Sequence, residues 1–406
     1  MNASSSRSVT SSGQLCRLNK RLVSFSCIRC GQVSEVADYF EGCSSCLDKG
    51  YPASVQAQYS KAPATLAELD ARTMKRFAQW LPYEAFPSLG EGGTPLISLD
   101  QLASEVGVGR LLIKNEGQNP TGSHKDRMSC FVVARAVDIG AETVIAASSG
   151  NAGVSVAAYA AAAGLACEIV TTPIMNPNWR RAIEMSGARL VATNEVAARW
   201  TYVQDRVRND GCYPATNYMT PAVGSNAFGV DGYRTIAFEL HEELGAENIN
   251  AVLVPTSRAD LLWGICRGFK DLQEANFVET VPKVHAVEPI SRISSVLEGC
   301  DYRQEFTGTS DLVSIGGTTV TYQAMHALKL CCGTAVTVND SGALHDQKIL
   351  AAQGLYLELS SAAALTGLRR LVERGTVQKG STVVLIGTSH GFKEHEPTDS
   401  SIPIVG

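Results

Sequence analysis

From residue 111 onward, short apolar runs alternate with longer stretches whose apolar positions recur every three or four residues. The runs predict buried strands and the stretches predict amphipathic helices. Strands are expected at 111–114, 143–147, 167–171, 189–193, 251–255, 284–288 and 382–386. Helices are expected at 123–139, 153–163, 179–186, 195–210, 232–244, 259–274, 321–332, 340–352 and 360–374. Strand after helix after strand is the signature of an α/β protein with a mostly parallel sheet. Upstream, 62–79 reads as a helix. Ser88-Leu-Gly-Glu-Gly-Gly-Thr-Pro-Leu-Ile97 reads as a glycine-rich turn that runs into an extended stretch. Residues 1–14 are rich in serine and read as a disordered tail.

Length and charge narrow the class. The chain has 406 residues, 45% of them hydrophobic and 18% charged, enough for a sizeable core and for two or three domains. A net charge of −5 and a pI near 5.9 argue against a nucleic-acid surface. No apolar run reaches the roughly 18 residues that a membrane span needs. No basic start followed by an apolar segment marks a secretory signal, so a cytoplasmic location is expected. The twelve cysteines then read as reduced thiols rather than a disulfide framework. Four of them form two knuckles, Cys27-x-x-Cys30 and Cys43-x-x-Cys46, with twelve residues between them and Gly31 and Gly42 beside them. Four thiolates on two tight turns match a tetrahedral structural zinc. A small ribbon with free thiols is the alternative.

The chemistry concentrates in Asn119-Pro-Thr-Gly-Ser-His-Lys-Asp-Arg127. Ser123 is expected as a helix N-cap with Asp126 in the first turn. Lys125 then sits in the first turn of a helix. There the dipole and burial both disfavour its ammonium form, and a free amine is what imine formation with an aldehyde requires. Ser148-Ser-Gly-Asn-Ala-Gly153 follows a strand and opens a helix, so it offers N–H groups to an anion such as a carboxylate. Gly387-Thr-Ser-His-Gly391 places a hydroxyl at a strand's carboxyl end, where open α/β sheets bind ligands. In Leu357-Glu-Leu-Ser-Ser-Ala-Ala-Ala364, Ser360 or Ser361 is expected to cap a helix. Each segment taken alone is also compatible with an ordinary turn.

In this order these pieces resemble the fold-type II pyridoxal phosphate enzymes, and most closely the threonine synthase-like branch. The resemblance runs from about residue 88 to about residue 393. It rests on Gly-Glu-Gly-Gly-Thr-Pro-Leu at 90–96, Asn-Pro-Thr-Gly-Ser-x-Lys-Asp-Arg at 119–127 and Ser-Ser-Gly-Asn at 148–151. Asp-Gly-Tyr-Arg-Thr-Ile-Ala-Phe-Glu at 231–239, Glu-x-Ser-Ser-Ala-Ala at 358–363 and Gly-Thr-Ser-His-Gly-Phe-Lys at 387–393 complete it. It implies two three-layer α/β/α domains with mostly parallel sheets, like the tryptophan synthase β chain, preceded by a Cys-rich ribbon at 15–50. A large coenzyme domain would span 51–128 and 214–393. A small mobile substrate domain would span 129–213, and 394–406 would form a tail. Lys125 would link covalently to pyridoxal 5'-phosphate and then act as the base at Cα. Asn151 would meet the coenzyme's phenolic oxygen and Thr388 its ring nitrogen. A neutral hydroxyl at that nitrogen does not enforce a pyridinium, which suits elimination and replacement better than transamination. Thr94, Ser123, His124, Ser148, Ser149 and the N–H groups at Asn151 and Ala152 would contact substrate. A homodimer is expected.

Three positions depart from the pattern. The usual glycine-rich phosphate loop is replaced by Thr256-Ser-Arg-Ala-Asp260, so Thr256, Ser257, Arg258 and the next helix start are expected to hold the coenzyme phosphate. Asp260 would repel a phosphate unless it pairs with Arg258 or points away. The arginine that contacts substrate phosphate in threonine synthases is Gly229 here, with Arg234 a candidate to take over. His124 stands in place of the usual phenylalanine. The expected reaction is therefore a pyridoxal phosphate-dependent elimination at Cγ or Cβ followed by addition of water or another nucleophile, with O-phosphohomoserine one candidate substrate. Cysteate synthase, threonine or serine dehydratase, diaminopropionate lyase and an enzyme making an unusual amino acid are alternatives. A non-catalytic amino-acid-binding or zinc-ribbon protein is a third class.

Overall fold

The computed structural model describes residues 16–68, 72–245 and 248–394; the predicted tails at 1–14 and 394–406 lie almost wholly outside them. The chain folds as α/β with two separate parallel sheets. The larger has six strands in the order Ala335–Thr337, Lys283–Glu288, Ala251–Pro255, Thr382–Gly387, Arg110–Asn115 and Leu96–Ser98. All its pairings are parallel except the last, where Leu96–Ser98 runs antiparallel to Arg110–Asn115. Its central strands lie between helices on both faces. Val252, Leu253, Val254, Val383, Val384 and Leu385 are all buried, which explains why they appear as unbroken apolar runs rather than alternating ones. The smaller sheet orders Arg189–Ala192, Ala166–Thr171, Thr143–Ala147 and Tyr213–Pro214, all parallel.

A third sheet lies before both. Val33–Ser34, Leu22–Cys27 and Val55–Tyr59 pair antiparallel and carry the cysteine knuckles on their connections. The predicted helix at 62–79 does not form as such. Among the described residues of this span only Met74–Trp80 is helical, as a 3₁₀ helix, and Thr73 Oγ1 accepts from Lys75 N at its start. Met74, Phe77 and Trp80 are buried at intervals of three. That is the period at which 3₁₀ side chains line up, whereas an α-helix would fan them apart. No described helix is long and apolar enough to cross a membrane.

Two glycines set how closely the chain packs around the 119–127 turn. Gly122 has φ +79°, and a Cβ there would lie 2.2 Å from His390 Nε2. Gly232 packs against the start of helix Asp126–Asp138, where a Cβ would lie 1.9 Å from the Arg127 carbonyl. Ser123 pairs as a bridge with Ser389, and His124 N donates to Thr388 O at 2.9 Å. The lysine turn is thereby fixed to the end of strand Thr382–Gly387.

Candidate active site

In parallel sheets all carboxyl ends face one way. Here the ends of Arg110–Asn115, Thr143–Ala147, Ala251–Pro255 and Thr382–Gly387 lead into 116–125, 148–151, 256–260 and 388–391. These connections meet at one cavity of about 840 Å³. Lys125, His124, Ser148, Ser149, Asn151, Ala152, Thr256, Ser257, Arg258 and Thr388 line it together. Thr94, Ser123 and Arg234 do not.

Lys125 is the N-cap of helix Asp126–Asp138, just ahead of the first turn in which it was expected. The expected Ser123 cap is absent: its Oγ is buried without a partner. The helix has no side-chain cap; Asp126 instead holds the preceding turn, accepting from Thr121 N at 2.7 Å and Thr121 Oγ1 at 2.5 Å. The Lys125 Nζ has no hydrogen-bond or ion-pair partner among the described residues; the Tyr233 ring centroid is 5.9 Å away. Burial pushes its pKa down. Asp260 and Glu358 oppose this and Arg258 reinforces it, with a net lowering. An ammonium stripped of water and left without a counterion favours the free amine.

The 148–151 loop begins helix Asn151–Ala163. Ser148 Oγ accepts from Gly150 N at 3.3 Å and Gly153 N at 2.9 Å. The Asn151 and Ala152 N–H groups carry no hydrogen bond among the described residues and stand at the positive end of the helix, ready for an anion. The Asn151 amide is oriented from both sides. Its Oδ1 accepts from Lys393 Nζ at 2.8 Å and Ser389 Oγ at 3.4 Å, and its Nδ2 donates to Glu358 at 2.6 Å. One Nδ2 hydrogen remains free. Burial pulls the Lys393 amine down to about 8, against Asp126 and Glu358, which raise it.

At the other wall, Ala259 holds φ 67°, a left-handed conformation that glycine adopts more easily, and helix Asp260–Glu274 starts beside it. Asp260 does not pair with Arg258. Its oxygens accept from Ser225 N at 3.0 Å, Ser225 Oγ at 2.6 Å and Gln323 Nε2 at 2.6 Å, which draws its charge into the protein. Arg258 has no carboxylate partner among the described residues. Its Nε is unpartnered and its guanidinium lies 5.6 Å from the Trp200 ring centroid. Burial lowers its pKa and Asp260 only partly opposes that. Thr388 Oγ1 is 2.6 Å from Ser361 Oγ. When Ser361 donates, the Thr388 proton is free for an aromatic nitrogen.

His124 Nδ1 lies 3.1 Å from Thr388 O, so the proton is on Nδ1 and Nε2 is an acceptor. Burial, with Lys125, holds this imidazole well below its usual pKa. Ser361 does not cap its helix; Leu359–Glu373 starts after Glu358 without a side-chain cap.

Arg234 is a correction. Its Nε meets Asp271 at 2.6 Å, and its Nη1 meets Asp231 at 2.8 Å and Trp80 O at 2.7 Å, all away from the cavity. Two carboxylates already neutralise it. Gly229 has no room for a side chain, since a Cβ would lie 2.6 Å from Val132 and 2.7 Å from Met128. The cavity also recruits residues the pattern did not single out: Arg199 and Trp200, and Ser314, Ile315 and Gly317 of a loop. Gly316-Gly317 was a visible turn signal. Arg199 sits in a polar helix that reads as a solvated face.

The residues define a class of site: a deprotonatable, unpartnered lysine on a cleft between two α/β sheets, an anion-binding helix start on either side, and a neutral hydroxyl facing between them. Pyridoxal phosphate fits this donor set. Lys125 would supply the amine, Arg258 and the N–H groups at the start of helix Asp260–Glu274 would hold the phosphate, and Asn151 and Thr388 would offer donors at the ring edge. The family described as "Pyridoxal-phosphate dependent enzyme" matches residues 87–389, and the chain belongs to it. The threonine synthase of Methanosarcina acetivorans is 29% identical over 383 residues, 91% of each chain. That of Bacillus sp. (strain ULM1) is 32% identical over 335 residues, 81% of this chain and 92% of that one. The structure of the processed form of threonine deaminase isoform 2 from Solanum lycopersicum has a TM-score of 0.63 at 21% identity, covering 73% of this chain and 79% of that one. The protein is a pyridoxal phosphate-dependent lyase of fold type II, in the threonine synthase-like branch.

Proposed function

We propose that the protein eliminates a phosphate from Cγ of an amino acid and adds water at Cβ, as a threonine synthase does. The observation that carries this is the buried, unpartnered Lys125 amine beside the open N–H groups of Asn151 and Ala152. The N–H groups hold the α-carboxylate. That places Cα against Lys125 Nζ, which takes and returns its proton. The coenzyme supplies an electron sink for the carbon that loses this proton. Thr256, Ser257 and Arg258 hold the coenzyme phosphate, and Asn151 and Thr388 fix the ring edge. Lys393 and Glu358 orient Asn151. His124 Nε2 accepts a hydrogen bond from substrate or the incoming water. The segment carrying the smaller sheet closes over the cleft and excludes water until the nucleophile is needed.

The Gly229 position supports a second reading, β-elimination from a hydroxy- or diamino acid, because the expected phosphate-binding arginine is missing there. The purified holoenzyme is given O-phosphohomoserine, and phosphate and threonine are measured. Equal release of both supports the first reading. Keto acid or ammonia from serine, threonine or diaminopropionate, without phosphate turnover, moves the protein to the second.

The cysteine knuckles belong to the same reading as a structural zinc site. The four Sγ atoms lie within 4.8 Å of one another, with 3.7 Å between Cys27 and Cys46 and 3.7 Å between Cys30 and Cys43. A homodimer and a cytoplasmic location complete it. The second is supported by twelve cysteines that are all unpaired.

A further inference from the structure

Arg199 has no role in the scheme so far. It stands half-buried on helix Ala198–Asp210, next to the smaller sheet, and lines the cavity. Its Nε donates to Val196 O at 3.1 Å and its Nη1 to Ser149 Oγ at 2.8 Å. A guanidinium has five N–H donors. Three of those on Arg199 have no partner among the described residues, and no described carboxylate pairs with it.

Arg258 faces the same cavity, also without a carboxylate. Burial and the charge of Arg258 both make the Arg199 cation less favourable. Two guanidiniums in one cleft without counterions are costly unless anions arrive. The scheme above gives Arg258 the coenzyme phosphate and gives the α-carboxylate the N–H groups of Asn151 and Ala152. The free fork of Arg199 remains. A planar fork with three open donors suits a tetrahedral dianion better than a neutral group does. At Gly229, where the resemblance expects the phosphate-binding arginine, packing leaves no space.

We propose that Arg199 reads a second anionic group on the substrate, a phosphate at the end of its side chain. Arg199 thus restores from the smaller-sheet side the charge that is missing at Gly229. Its bond to Ser149 ties that recognition to the carboxylate loop, so both ends of the substrate are sensed by one segment. This rests on the amino-acid reading above.

Calorimetry on the holoenzyme compares L-2-amino-5-phosphonopentanoate with norvaline, the same skeleton without the phosphonate. Neither ligand carries a leaving group. For Arg199→Gln the phosphonate is expected to lose about 10- to 100-fold in affinity, while norvaline changes less than about twofold. Arg199→Lys keeps the charge and is expected to recover part of the loss. Equal weakening of both ligands would mean that Arg199 only braces Ser149, and the proposal fails; unchanged phosphonate binding also overturns it. If phosphonate binding depends on Arg199 but O-phosphohomoserine is not consumed, the reaction reading falls and the anion site stands. If O-phosphohomoserine is consumed and Arg199→Gln keeps full phosphonate preference, the reverse holds.

Discussion

Arg127→Met isolates the charge network that supports the lysine turn. Arg127 is fully buried two residues after Lys125. Its guanidinium meets Glu116 at 2.7 and 2.8 Å and Glu239 at 2.7 and 2.8 Å. It also reaches Thr235 at 2.9 Å and Thr94 at 3.2 Å. Burial by itself would raise the Glu239 pKa, but Arg127 and Lys114 together outweigh it and hold the carboxyl well below its usual range. With the guanidinium gone, Glu116 keeps Thr94 at 2.6 Å and Asn119 at 2.9 Å, and Glu239 keeps Lys114 at 2.9 Å. Among the described residues Glu116 is then buried with no cation, and Glu239 keeps only Lys114, which it shares with Glu243, and Arg76 at 3.8 Å. Breaking a buried pair in this way costs about 3–5 kcal/mol, a large part of the roughly 5–15 kcal/mol that holds a folded domain. Urea unfolding followed by circular dichroism, with saturating coenzyme, reads the difference. Adding Glu116→Gln and Glu239→Gln to the variant removes the stranded charges and is expected to recover at least half. The sign with pH follows from the depressed Glu239 pKa. The wild-type advantage is present above the unfolded carboxyl pKa near 4.3 and is lost as pH falls below it. A loss under about 1 kcal/mol, or a triple variant no better than the single one, would refute the assignment.

His124→Phe tests the neutral imidazole. The folded pKa is depressed, so the unfolded chain takes the proton first, and this residue costs stability as pH falls below about 6.5. The variant is expected to be flatter between pH 7 and 5 in thermal unfolding, and an unchanged slope would contradict the assignment. For the ribbon, plasma mass spectrometry is expected to find one zinc per chain, and Cys43→Ser is expected to lose it together with several degrees of melting temperature. A metal-free, equally stable wild-type protein would leave four free thiols.

Much of the catalytic part was legible because parallel strands covered on both faces keep nearly every position apolar. Ala251–Pro255, Thr143–Ala147 and Asp340–Ala352 have the bounds expected from the pattern. The three-residue strands Leu96–Ser98 and Ala335–Thr337 carry too few positions to show a period. Met74–Trp80 misled because residues three apart suit both a 3₁₀ turn and an α-helix. Lys125, Asn151 and the 256–260 loop could be found because each follows a strand end. Arg234 could not be judged from its position alone: Asp231 is a local neighbour three residues away, but Asp271, which meets its Nε, is brought there only by the fold. Arg199 was invisible for the converse reason. A polar helix normally brings carboxylates to its arginines, and only the fold reveals that none among the described residues reaches this one.

The most direct test is chemical. The holoenzyme is reduced with borohydride, digested, and its peptides mapped by mass. The expected result is a single pyridoxyl group, on Lys125. An adduct on Lys114, Lys393 or any other lysine, or no adduct at all, would contradict the central claim.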